Sequence, residues 1–158
     1  SAVLASGDAQ RGARLFFNPS FSCVKCHHPA EGKPLGPDLA SPREGVTSRL
    51  LVDAILRPSR EIRKGYESEM VLNIDGLTIT GFPVSENEKD LVLREPAGGK
   101  EIVIPLEDIE ARKRGKQSLM PAGLANQLAD REQFLDLVKF LIEIEKGGRR
   151  RMQELDPR

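Results

Sequence analysis

The sequence predicts an α+β chain in which helical segments at both ends enclose an inserted antiparallel sheet. Two observations carry this. Apolar residues recur at helical spacing near 8–17, 47–56 and 130–145, but they alternate from Met70 to Ile104. Between the first two helical stretches lie many breakers: Pro19, Pro29, Pro34, Pro37 and Pro42, with Gly32, Gly36 and Gly45. Such a stretch reads as a loop that wraps something rather than as regular structure.

The elements follow in order. Asp8 suits an N-cap, and Ala9, Gly12, Ala13 and Phe16 share one face of a first helix ending near Phe17. Gly12 costs about 1 kcal/mol relative to Ala inside a helix, which points to a close approach by another element. A second helix covers about Thr47–Leu56, with Leu50, Leu51, Ala54 and Ile55 apolar, and Pro58 stops it. Met70, Leu72 and Ile74 then alternate, Asp75-Gly76 is a two-residue hairpin signal, and Leu77 and Ile79 resume the pattern. Leu91 and Leu93 mark a third strand, Ala97-Gly98-Gly99-Lys100 a turn, and Ile102 and Ile104 a fourth. A last helix spans about Asp130–Glu145, with Phe134, Leu137, Val138 and Leu141 on its apolar face. Gly147-Gly148 ends it, and in the charged tail 147–158 the residues 149–158 are expected to be mobile.

The formal net charge is zero, so no global field draws the chain to nucleic acid or an anionic membrane. The basic runs Arg112-Lys113-Arg114 with Lys116, and Arg149-Arg150-Arg151, read first as solvated faces. No apolar stretch approaches the roughly 18 residues of a membrane span. Ser1 to Ser6 is too short for a complete signal peptide. Aromatic residues make up only 4% of the chain, a thin apolar supply that a large buried cofactor would supplement.

The chemistry concentrates in Cys23-Val24-Lys25-Cys26-His27, the C-x-x-C-H haem attachment pattern. Two thiols at this spacing reach the two vinyl groups on one porphyrin edge, and the next residue sets an imidazole under the iron. Three other readings remain open. Zinc would need a further Cys pair or a distant His, which the sequence does not supply. A redox dithiol needs C-x-x-C at a helix start, and Pro29 follows closely. The third is chance.

Taken with the rest of the chain, the motif resembles a class I c-type cytochrome. More narrowly, it resembles the haem-binding domain of planctomycete and verrucomicrobial large membrane-associated dehydrogenase-like proteins. The resemblance rests on Gly7 to Gly12 with Phe16, Cys23 to His27, Gly36-Pro37-Asp38-Leu39, Ile55 to Ser59 and Gly65-Tyr66. It continues through Ser118-Leu119-Met120-Pro121 and Leu137 to Leu141.

The resemblance implies a mainly α cytochrome c fold over 1–65 and 111–146, with 66–110 inserted as a small antiparallel sheet or barrel. It implies one covalent haem c, with iron held by His27 and Met120. The Pro37 carbonyl would accept a hydrogen bond from His27, and Gly12 and Phe16 would cross the last helix at Leu137 and Phe140. His28 would lie at the surface or haem edge. The basic run at 112–116, close before Met120, would sit near the haem edge.

The expected function is one-electron transfer rather than catalysis, in a periplasmic or extracytoplasmic setting. The expected partner is a redox protein or a dehydrogenase domain of the same chain, with no nucleic acid and no membrane span. The competing reading is a haem enzyme or gas-binding domain with an open or displaceable sixth position.

Overall fold

The computed structural model describes residues 6–28, 30–31, 34–95 and 99–158. Ser1 to Ala5, Pro29, Gly32 and the Ala97-Gly98 part of the expected turn lie outside the described residues. The chain divides into two compact units: Ser1–Arg60 with Ala122–Arg158, and Glu61–Pro121.

The first unit holds helices α1 (Ala9–Phe17), α2 (Cys23–His27), α3 (Ser48–Leu56) and α4 (Arg131–Leu155). Each of the longer helices starts on a side-chain cap. Asp8 accepts from the Arg11 amide, Thr47 from Leu50 and Asp130 from Gln133, which satisfies amides that lack an intrahelical partner.

The unit is organised by α1 packing on α4. A Cβ on Gly12 would overlap the Asp136 carbonyl oxygen and come within 2.8 Å of Phe140 Cβ. The bare glycine therefore lets the two backbones touch. Around that point Ala13, Phe16, Val138, Phe140 and Ile144 are buried, and the Phe16 and Phe140 rings stand 5.2 Å apart. Asp136 is buried in the same crossing. Its carboxylate accepts from the Asp8 amide at 2.6 Å and from Arg11 Nε at 2.6 Å. A buried carboxylate is tolerable here because both its oxygens are bonded.

The tail does not behave as the composition suggests. After a break at Gly148, where φ is +63°, the helix resumes and runs to Leu155. Met152 and Leu155 are buried, and the Leu155 carbonyl accepts from the Gln10 side chain at 3.1 Å. The arginines at 149–151 are the outer face of an amphipathic turn, so the expected mobile tail is instead packed structure.

The second unit is a five-stranded antiparallel sheet: β1 (Glu67–Asn73), β2 (Thr78–Glu86), β3 (Asp90–Arg94), β4 (Glu101–Pro105) and β5 (Ile109–Ser118). Its order is β4-β3-β2-β1-β5. A single 3-10 turn, Leu106–Asp108, joins the two edge strands. In a flat sheet those edges would lie ~19 Å apart, whereas the four peptide steps from Pro105 to Ile109 reach ~14 Å at most. The sheet must therefore curl. Strand β2 provides the bend, pairing with β1 through Thr78–Gly81 and with β3 from Phe82 to Glu86. Val71, Leu91, Leu93 and Ile104 fill the interior, backed by Ile79, Ile102, Leu106 and Ile109.

Three expectations need correction. The chain is α+β, with 40% helix against 24% strand in a single five-stranded sheet, so the mainly α cytochrome c fold does not hold. The missing strand is β5. Ile109–Ser118 has no apolar alternation and contains the basic run at 112–116, because an exposed edge strand has little to bury on either side. Its inclusion moves the unit boundary to Glu61–Pro121 from the expected 66–110.

The phase of β1 also differs. Val71 is fully buried while Met70 is 44% exposed, and Ile74 and Leu77 lie outside at the turn. Both faces of Met70–Ile74 carry apolar residues, so alternation alone cannot choose between them. Pairing of Val71 with Ile79 fixes the inner face. The turn itself is longer than expected. The Gly76 amide donates to the Asn73 carbonyl at 3.0 Å and the Asn73 amide to Leu77 at 2.9 Å, with Gly76 at φ +78°. That is a three-residue hairpin loop, which needs glycine at its last position.

Two outcomes follow from the crossing. Gly12→Ala should destabilise the helical unit by about 3 kcal/mol or more, read as a lower denaturant midpoint, since backbone has to move to admit the methyl group. For Asp136, burial pushes the pKa up, but the bonds from Arg11 and the Asp8 amide and the Arg11 charge outweigh it and hold the carboxyl below its usual range. A carboxyl depressed in the folded state contributes stability that is complete above the unfolded value near ~3.9 and lost as pH falls through the folded one. Asp136→Asn should therefore be less stable than wild type at neutral pH. The gap should close on acidification below about pH 4, as measured by denaturant midpoints across that range.

Candidate functional site

The site is built at the start of the loop region. Asn18 caps a 3-10 turn at Pro19–Phe21, and Ser22 takes a left-handed conformation with φ +66°. That reversal starts α2, so Cys23, Cys26 and His27 share one helical turn and a half. The loop after α2 then returns to it. The Leu35 and Gly36 amides both donate to the Cys26 carbonyl, at 3.1 and 3.0 Å. This closure brings Pro37 over His27.

His27 is held from two sides. Its Nδ1 lies 3.0 Å from the Pro37 carbonyl oxygen. A carbonyl can only accept, so Nδ1 carries the proton and Nε2 is left with its lone pair. Gly36 backs the ring: a Cβ there would stand 2.7 Å from both His27 Cε1 and Nδ1. Burial pushes the His27 pKa down, against the opposing Pro37 bond, which favours the neutral, metal-ligating imidazole.

Cys23 and Cys26 are free thiols, both partly buried. Burial raises the pKa of each. The objection that the pair is not at a helix start does not stand, because α2 begins at Cys23. Reactive pairs have depressed thiol pKa values, whereas burial raises these two. Among the described residues no group of three or more His, Cys, Asp or Glu side chains is placed to hold a metal ion, so a zinc tetrahedron is not formed there.

The donor set fits a covalent porphyrin. Two thiols free of any disulfide sit three residues apart on one short helix, and the adjacent imidazole presents an unprotonated Nε2. The bare Gly36 leaves room for that ring to stand against the loop.

Cys23, Cys26, His27 and Pro37 thus come together within the helical unit. Met120 belongs to the other unit, two residues beyond β5, with its amide donating to Ser118 Oγ at 3.1 Å. Of its rivals, Met70 is a half-exposed sheet residue and Met152 is buried near the end of α4. His28 lies edge-on to Phe17 with ring centroids 5.9 Å apart.

The basic run lies on β5 of the sheet unit. Arg112 there is committed to Glu69 at 2.5 Å and to both oxygens of Glu86 at 2.9 Å, while Lys113, Arg114 and Lys116 are exposed. Among the described residues, no helix is long and apolar enough to cross a membrane.

Nothing in the sequence pattern singles out the Leu35 and Gly36 amides, Asp136 or Glu145. The only signal for the first was a glycine directly before Pro37. No protein-family model matches the chain, and no curated protein matches it.

Gly36→Ala should displace the His27 ring from Pro37. By NMR, the His27 Nδ1 proton should exchange with solvent faster than in wild type while far-ultraviolet circular dichroism stays unchanged. An unaltered exchange rate would mean that Gly36 does not set the ring.

Proposed function

We propose that this chain carries one covalent haem c on Cys23 and Cys26 and transfers single electrons through it. The observation that carries the reading is His27, whose Nδ1 is engaged by Pro37 at 3.0 Å so that Nε2 is the available ligand, directly after two free thiols. Cys23 and Cys26 would hold the haem as thioethers, each thiol adding sulfur to one vinyl carbon and hydrogen to the other, an addition that needs no oxidant. His27 supplies the proximal imidazole, and its bond to Pro37 fixes the tautomer and raises its basicity as a ligand. Met120 would supply the distal thioether, as the resemblance implies. The bound haem provides the iron that cycles between ferric and ferrous states, with His/Met ligation favouring a raised potential.

The resemblance to the class I cytochromes, carried by Gly12, Phe16, Cys23 to His27, Pro37 and Met120, supports this reading and extends it. The setting is then periplasmic or otherwise extracytoplasmic, and the partner is a redox protein or a dehydrogenase domain of a longer oxidoreductase. A second reading is a haem enzyme or gas-binding domain with a displaceable sixth ligand.

After expression with a haem-maturation system, wild type should keep its haem on a denaturing gel, and Cys23→Ala/Cys26→Ala should lose it. Haem extracted from wild type by acid acetone would refute covalent attachment. Oxidised wild type should be low-spin with the weak near-infrared band of iron–thioether bonding. Met120→Ala should lose that band, lower the potential and bind carbon monoxide. Ready binding of carbon monoxide by wild type would favour the second reading.

A further inference from the structure

We propose that the kinked end of α4 positions His27, acting through the loop that carries Pro37, with Glu145 as the principal positioning residue. Its effect on a reduction potential rests on the haem reading. The clamp itself rests only on contacts within the helical unit.

Upstream of Pro37 the loop is fastened to α2 by the Leu35 and Gly36 amides on the Cys26 carbonyl. Downstream it is fastened to α4 three times. Glu145, buried, accepts from the Arg43 amide at 2.6 Å, with the Arg43 guanidinium 3.9 Å from its other oxygen. Gly148 packs its backbone on the loop: a Cβ there would lie 3.4 Å from the Ala40 carbonyl oxygen and 3.5 Å from Pro42 Cγ. Arg149 Nη2 meets Asp38 Oδ2 at 2.6 Å, while Asp38 Oδ1 accepts from the Ala40 amide at 3.0 Å. Pro37 thus hangs between two anchors, and its carbonyl position depends on both.

The three contacts differ in weight. Arg149 is exposed and Asp38 partly so, and such pairs contribute little. The Glu145 carboxylate bonds a backbone amide away from water, which makes it the stronger hold. Gly148 supplies the geometry. Its φ of +63° with ψ −156° breaks the helix where α4 passes Ala40 and Pro42, a backbone conformation essentially confined to glycine. Loosening the clamp should weaken the Nδ1–H bond to Pro37. The imidazole then donates less electron density through Nε2, and ferrous iron is favoured.

The experiment uses the full haem-loaded chain, with amide and imidazole proton exchange followed by NMR and potential by optical titration. In Glu145→Ala, exchange at the Arg43 amide and at His27 Nδ1 should both accelerate by about tenfold or more, and the potential should rise. Glu145→Gln keeps a neutral acceptor and should restore most of both. Faster exchange at Arg43 with His27 Nδ1 unchanged would overturn the proposal, since the contact would then be local. Should Glu145→Ala fail to fold, Arg149→Ala carries the test with a smaller acceleration at His27 Nδ1, and no acceleration there overturns it. Wild type without covalent haem would refute the haem reading alone, because the exchange rates test the clamp without it.

Discussion

The hydrogen bond from His27 Nδ1 to the Pro37 carbonyl is the contact around which the candidate site is arranged. It decides which imidazole nitrogen can meet a metal, and it can form only if the chain after α2 folds back within ten residues. The double bond of the Leu35 and Gly36 amides to Cys26 makes that return. The left-handed Ser22 starts α2 so that both thiols and the imidazole lie on one turn and a half. None of these residues supplies much burial, and Val24 alone of α2 is buried. The local geometry is therefore held by backbone hydrogen bonds and by the helices behind it.

Those helices owe their arrangement to a missing side chain. Gly12 lets α1 meet the α4 backbone, and that closeness puts Asp136 within reach of both the Asp8 amide and Arg11. The same helix, continued past Gly148, reaches the loop that follows Pro37 through Glu145 and Arg149. One element thus supports the site from the far side of α1 to the loop over His27. The sheet unit has its own interior of Val71, Leu91, Leu93 and Ile104, closed by the short Leu106–Asp108 connection.

Much of the site was legible because its chemistry needs particular residues at fixed spacing. Cys23, Cys26 and His27 declare themselves, and Asp8, Thr47 and Asp130 cap helices where their side chains predict. Pro37 was legible only through resemblance, since nothing local distinguishes its carbonyl from that of another turn proline. The readings that failed share a cause: they depended on partners distant in sequence. Strand β5 is recognisable as a strand only by its pairing with β1, and the inner face of β1 only by Val71 against Ile79. The tail 147–158 looked free because its arginines conceal Met152 and Leu155, whose burial needs the residues of α1 and α4 around them.

The central claim is that His27 ligates iron through Nε2 while its Nδ1 proton is held by Pro37. The chain has two histidines, so selective nitrogen-15 labelling of histidine gives four ring-nitrogen signals to assign. In the oxidised, haem-loaded protein the account predicts large paramagnetic shifts at both His27 nitrogens, a slowly exchanging Nδ1 proton, and only small shifts at His28. Diamagnetic positions for His27, or the large shifts at His28 instead, would contradict it.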